Sequence, residues 1–245
     1  MEISNTLTPS SETSVHAIRR RRCYLVRHGD VRYFSDDGKP LDPRTVALST
    51  LGVQQVEKLA EMLQPLPLDR AVCSDYPRAR QTLDLLVAGR GLDIQETASL
   101  REIRAGRLSD IPTSEQSAEM GYAYELANRT NGQFIGGEAW VAFERRVVEQ
   151  FLLFLAEPDW NSLLIASHDG VNRVLLGWAI GCGLSGLSAL EQDTACVNII
   201  DIDMLGDQVI RRLVRTVNLT PYDLSKSDSN LTVMEKIYQA YTQAH

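Results

Sequence analysis

The chain has 245 residues, of which 44% are hydrophobic, and a formal net charge of -7. At ~150 residues per domain it holds one or two domains, and its apolar content excludes wholesale disorder. The acidic balance argues against a general nucleic-acid binder, which needs a basic surface, but leaves room for a small positive pocket.

The chain opens on a Ser/Thr-rich segment without periodicity, and residues 1–21 read as a flexible tail. This stretch lacks the apolar core of a signal peptide, and no run approaches ~20 apolar residues. Neither secretion nor a membrane span is expected, and a cytoplasmic address follows by default. Arg19 to Arg22 form a basic run read as the solvated entrance to a strand. Residues 23–27 read as that strand, buried.

After a polar loop with Pro40 and Pro43, Ser49-Thr50 caps a helix carrying Val56, Leu59, Ala60 and Leu63 at helical spacing. A second strand follows at 70–73. Pro77 then opens a helix running to about Ala88. Leu92 to Thr97 predicts a third strand. Residues 100–137 are irregular and Gly-rich, with one helix expected near 114–129. A long helix is predicted from about Glu138, with Trp140, Phe143, Val147, Phe151 and Phe154 on its apolar side. Residues 162–166 read as a strand, and a helix follows Ser167-His168-Asp169-Gly170. Val197 to Asp203 and Gln208 to Val214 read as a hairpin, and a short helix closes the chain at about 233–242.

Alternating strands and helices indicate an α/β fold, a three-layer α/β/α sandwich around a mostly parallel sheet. Cys23, Cys73, Cys182 and Cys196 form no CxxC pair and read as reduced, buried thiols. Gly181 to Gly186 formally matches G-x-G-x-x-G, but it follows a helix rather than a strand, so a dinucleotide reading lacks its context.

The chemistry concentrates at strand ends, where ligands bind in open α/β sheets. The first strand delivers Arg27, His28 and Gly29. The second delivers Ser74, Asp75 and, one turn on, Arg78. The strand at 162–166 delivers His168 and Asp169. Arginine's planar fork suits phosphate oxygens. A histidine among arginines is pushed toward its neutral, nucleophilic form. Gly29 would let the backbone approach a ligand. Only His28 and His168 remain for a core metal site, since His16 lies in the tail and His245 is terminal. No metal and no cofactor is expected.

These residues resemble the histidine phosphatase superfamily, the phosphoglycerate mutase-like proteins. L-V-R-H-G at 25–29 matches the family signature. A-L-S-T-L-G at 47–52, S-D-Y-P-R-A-R-Q-T at 74–82, L-R-E-I-R-A-G at 100–106, G-G-E at 136–138 and S-H-D-G-V-N-R at 167–173 are similar to its further motifs, in order. The resemblance spans residues 22–216, taken as the catalytic domain, with 103–137 as a lid that sets specificity. Residues 217–245 form an extension that would cover a sheet edge or pack on the second subunit of a homodimer.

The resemblance implies His28 as nucleophile, forming a phosphohistidine. Arg27, Arg78 and His168 would bind phosphate and stabilise charge. Glu102 would protonate the leaving oxygen and then activate water, which needs its pKa lifted toward neutrality. Asp169 is a rival acid, because an H-D pair supplies the proton in the acid-phosphatase branch. The chain departs from the family's E-[ST]-x-x-N continuation: Asp30, Val31 and Phe34 stand there instead. Val31, Tyr33 and Phe34 would form a partly apolar wall suited to a larger, less charged leaving group.

The expected function is therefore metal-independent hydrolysis of a small-molecule phosphomonoester, with no nucleic-acid or membrane partner. A phosphoglycerate-type mutase and a non-catalytic phosphate-ligand or protein-binding module are the rival readings.

Overall fold

The structure, a computed structural model, describes residues 18–35, 39, 41–227 and 230–243. The expected tail through residue 17 lies outside them. Six strands and six α-helices follow in chain order: β1 Ile18–Arg27, α1 Thr50–Leu63, β2 Arg70–Ser74, α2 Pro77–Leu86, β3 Ile94–Thr97, α3 Thr113–Gly121, α4 Trp140–Ala156, β4 Ser162–Ser167, α5 Asp169–Ile180, β5 Val197–Leu205, β6 Gln208–Leu219 and α6 Val233–Gln243. Among the described residues no helix is long and apolar enough to cross a membrane.

The strands form one sheet in the order β3-β2-β4-β1-β5-β6. Pairings from β3 through β1 are parallel, and β1/β5 and β5/β6 are antiparallel, so the sheet is mixed. Strand residues alternate between its faces. Cys23, Leu25, Leu163 and Ile165 pack with α4 and α5 on one side, and Tyr24, Val26, Leu164 and Ala166 with α1 and α2 on the other. This is the expected three-layer sandwich.

The tail boundary expected at residue 21 is corrected, because β1 begins at Ile18. The basic run is strand, and its partners lie about 180 residues downstream. Arg20 and Arg22 face Asp203 and Asp201 across β5 and donate to them at 2.7 and 2.8 Å. Arg211 and Arg215 of β6 bind the same two carboxylates. Hydrogen bonding to Arg20 holds the Asp203 carboxyl below its usual range. Arg21 points the other way and is buried, its guanidinium stacked 4.5 Å from the Trp160 ring.

Other boundaries move for local reasons. The helix expected over 114–129 stops at Gly121, a poor helix former, and resumes only as a short 3-10 turn at Glu125–Asn128. No residue of α3 is buried, so no packed face extends it. The long helix begins at Trp140 rather than near Glu138, because the Glu138 carboxylate is taken by the Arg104 N–H and by Arg146. Gly181 ends α5 in a left-handed conformation. Cys23, Cys73 and Cys196 are buried free thiols and Cys182 is half-buried.

Candidate active site

Strand register builds the site. In the sheet β4 lies between β2 and β1, with Arg27 opposite Ser167 and Cys73 opposite Ala166. The next residues in each chain direction, His28, His168 and Ser74, therefore emerge side by side at one rim. The His28 and His168 ring centroids are 5.3 Å apart, edge to face. Arg78, on the first turn of α2, donates from Nε to His28 Nε2 at 3.0 Å. Both histidines and Arg78 are at most 2% exposed.

The tautomer of His28 is set by its partners. Nδ1 lies 2.8 Å from the Gly29 carbonyl, an acceptor, so Nδ1 carries the hydrogen. Nε2 then holds the lone pair, consistent with its accepting from Arg78. Burial, then the guanidinium charges of Arg78 and Arg27, holds the imidazole well below its usual pKa. His168 is depressed in the same way, by burial first, then Arg78 and His28. Its Nε2 meets Ser74 Oγ at 2.8 Å, and its buried Nδ1 has no partner among the described residues. Arg27 is fixed by Nη1 on the Gln192 carbonyl at 2.6 Å, while its buried Nε is also unpartnered. Buried donors are normally satisfied, so the unpaired Arg27 Nε–H close to a lone-pair nitrogen suits an anion.

Glu102 reaches this rim from the loop after β3. Its Oε1 accepts from the Ile103 N–H at 2.9 Å and its Oε2 from the Gly170 N–H at 3.1 Å. Burial, then the Asp169 charge, raises its pKa, and the two N–H donors oppose that shift only in part. Arg146 holds the loop by donating to the carbonyls of Ser99, Arg101 and Glu102. A Cβ on Gly170 would stand 2.5 Å from Glu102 Oε1, so this position admits glycine because the carboxylate lies against it.

Gly29 serves differently from the sequence expectation. A Cβ there would meet the Gly52 carbonyl oxygen at 2.5 Å and Val56 at 2.9 Å, so its missing side chain lets β1 and α1 touch rather than admitting a ligand.

Asp169 is buried and accepts from Arg173 Nε at 2.6 Å, four residues on. Arg173 also binds Glu191 at 2.7 Å and lies 4.0 Å from the Tyr124 ring centroid. Asp169 is thereby committed to an ion pair, unlike Glu102. Val31, Tyr33 and Phe34 line a cavity of about 930 Å³ whose floor includes Arg27 and His28. Arg78, Glu102 and His168 do not line it.

Sequence reasoning placed Ser74 at the rim without giving it a role and missed Gln192, Arg173 and Tyr124 as supports. Only Arg173 carried a local signal, its four-residue spacing from Asp169. Among the described residues, no three His, Cys, Asp or Glu side chains are grouped to hold a metal ion.

Residues 23–215 match the histidine phosphatase superfamily (branch 1). The adenosylcobalamin/alpha-ribazole phosphatase of Salmonella typhimurium is 31% identical over 185 residues, 74% of this chain and 90% of that protein. A protein named "Probable phosphoglycerate mutase GpmB" from Enterobacter sp. is 30% identical over 175 residues, 68% of this chain and 74% of its own. The crystal structure of the Shigella flexneri alpha-ribazole phosphatase superposes with a TM-score of 0.65 at 26% identity, covering 81% of this chain and 96% of that one. The chain belongs to branch 1 of the histidine phosphatase superfamily and is a phosphoric monoester hydrolase of its phosphatase side.

Proposed function

We propose that the chain hydrolyses a small-molecule phosphomonoester through a phosphohistidine on His28, without a metal. The observation that carries this reading is the lone-pair Nε2 of His28, set against Arg78 at 3.0 Å and beside His168. In the first step Nε2 attacks phosphorus, and the phosphorus–oxygen ester bond breaks. Glu102 gives its proton to the leaving oxygen. In the second step water attacks phosphorus, its proton goes to the Glu102 carboxylate, and the P–N bond breaks to release inorganic phosphate. The Arg78 Nε–H shifts from Nε2 to a phosphate oxygen as the ester enters. Arg27 and His168 share the transferred group's negative charge. The raised pKa of Glu102 and the ion pairing of Asp169 favour Glu102 as the acid.

Rapid quench with a ³²P-labelled ester tests this. An acid-labile, base-stable label is expected on the wild type, absent from His28→Ala, with turnover retained in EDTA. No label during turnover would refute the mechanism. The mutase reading has support from the GpmB relative. A requirement for 2,3-bisphosphoglycerate would favour it.

A further inference from the structure

The residues that match the family end at 215, but the cavity above His28 is completed by residues beyond that point. One side is Val31, Tyr33 and Phe34. The facing side is made of Tyr222, Asp223, Val233, Lys236, Ile237 and Ala240. We propose that residues 220–227 and 233–240 form the leaving-group wall of this enzyme, and that they select phosphomonoesters of bulky alcohols with an aromatic or aliphatic body. This rests on the phosphatase reading above.

The wall is built into the fold. The Val233 N–H donates to Glu191 Oε1 at 2.9 Å, and the other oxygen of Glu191 accepts from Arg173, the partner of Asp169. The start of α6 is thus joined by three polar contacts to the residue after His168. Met234 is buried in the core that holds α4 and α5, and Ile237 packs against it. Upstream, Tyr222 Oη donates to the Thr194 carbonyl at 2.5 Å, and Lys226 binds Asp193 at 2.8 Å and Thr220 Oγ1 at 2.6 Å. A side chain held this way presents a shaped surface to a ligand.

Size and apolar lining define the occupant. The volume, about 930 Å³, lies in the range of cavities that enclose a drug-sized ligand, far more than phosphate alone needs. Aliphatic and aromatic surface faces inward from both sides, from Val31, Tyr33 and Phe34 against Tyr222, Val233 and Ile237. Asp30, Asp193 and Asp223 line the space together with Arg27, Arg32 and Lys236, and Asp193 already accepts from Lys226. The lining thus carries both signs, so the bulk and apolar body of the leaving group, rather than its charge, are what the walls read.

The test compares 2-phenylethyl phosphate with ethyl phosphate, whose leaving alcohols differ little in acidity, and with 3-phosphoglycerate. For the wild type, kcat/KM for 2-phenylethyl phosphate is expected to exceed that for either other ester by about tenfold or more. Ala240→Trp, which fills the cavity from the α6 side, should bring the phenylethyl-to-ethyl ratio near one. Ala240→Leu, a gentler change, should lower it in the same direction if the tryptophan variant folds poorly. A ratio unmoved in the folded variants, or a wild-type preference for 3-phosphoglycerate, overturns the proposal while leaving the His28 label intact. A wild type that neither labels nor hydrolyses any of the three overturns the phosphatase reading and this inference with it.

Discussion

Gly170→Ala tests the placement of the acid without touching it chemically. The new methyl carbon would stand 2.5 Å from Glu102 Oε1, and ordinary contact begins at 3.4 Å, so one side must yield by about 0.9 Å. The helix cannot easily retreat, because the buried Phe143 ring already lies 3.2 Å from the same point. The carboxylate therefore moves, and its 3.1 Å bond from the Gly170 N–H is lost or stretched. A displacement near 1 Å in a reacting group costs about 100-fold. That loss is expected in kcat/KM for an alkyl ester, which needs a proton on its leaving oxygen. For 2,4-dinitrophenyl phosphate, whose leaving group needs none, kcat/KM, which reports the first step alone, should change by no more than about threefold. Stability should fall by ~1–3 kcal/mol: alanine gains ~1 kcal/mol in a helix, against ~1 kcal/mol for the hydrogen bond and ~1–3 kcal/mol for crowding. Steady-state kinetics on both esters, with thermal unfolding as control, decides. Equal losses on both esters, or none on either, would refute the assignment of Glu102.

Other perturbations have definite outcomes. The kcat/KM for an alkyl ester should fall as pH rises through the raised pKa of Glu102, and Glu102→Gln should be slow and lack that limb; stopped assays across pH check it. The folded pKa values of His28 and His168 are depressed, so the stability they give is present above ~6.5 and lost as pH falls below it. The free energy of unfolding should therefore drop below that pH by up to about 1.4 kcal/mol per pH unit for each histidine, and His168→Gln should flatten the slope. Arg173→Met strands the buried Asp169 carboxylate and should cost about 3–5 kcal/mol in denaturant unfolding, with Asp169→Asn in the same chain recovering part of it. Ser74→Ala removes the 2.8 Å partner of His168 and should cost ~1–3 kcal/mol by the same measurement.

Much of the rim was legible because parallel strands put their carboxyl ends on one edge, so Arg27, His28 and His168 had to share it. Glu102 needed the family resemblance, since nothing in its local pattern separates it from a solvated loop carboxylate. The Arg19–Arg22 run was misread because its partners, Asp201 and Asp203, are set by strand pairing rather than by neighbours in sequence. Gly29 was assigned to a ligand because sequence shows only that a side chain is missing, not that Gly52 fills the space. The α6 wall was invisible for a related reason. Its contacts run through Glu191 and Arg173, and neither residue's spacing to Val233 matches any helical or strand period.

The guanidinium resting on His28 Nε2 also bears on what the resting protein can react with. A neutral electrophile, such as an acylating or alkylating reagent, gives Arg78 no reason to leave, and the imidazole beneath is 2% exposed. Only a dianion offers the arginine a better partner than the nitrogen it covers. On the proposed mechanism the substrate therefore unveils the atom that would attack it, and the same side chain that would steady the phosphoryl group shields that nitrogen until then.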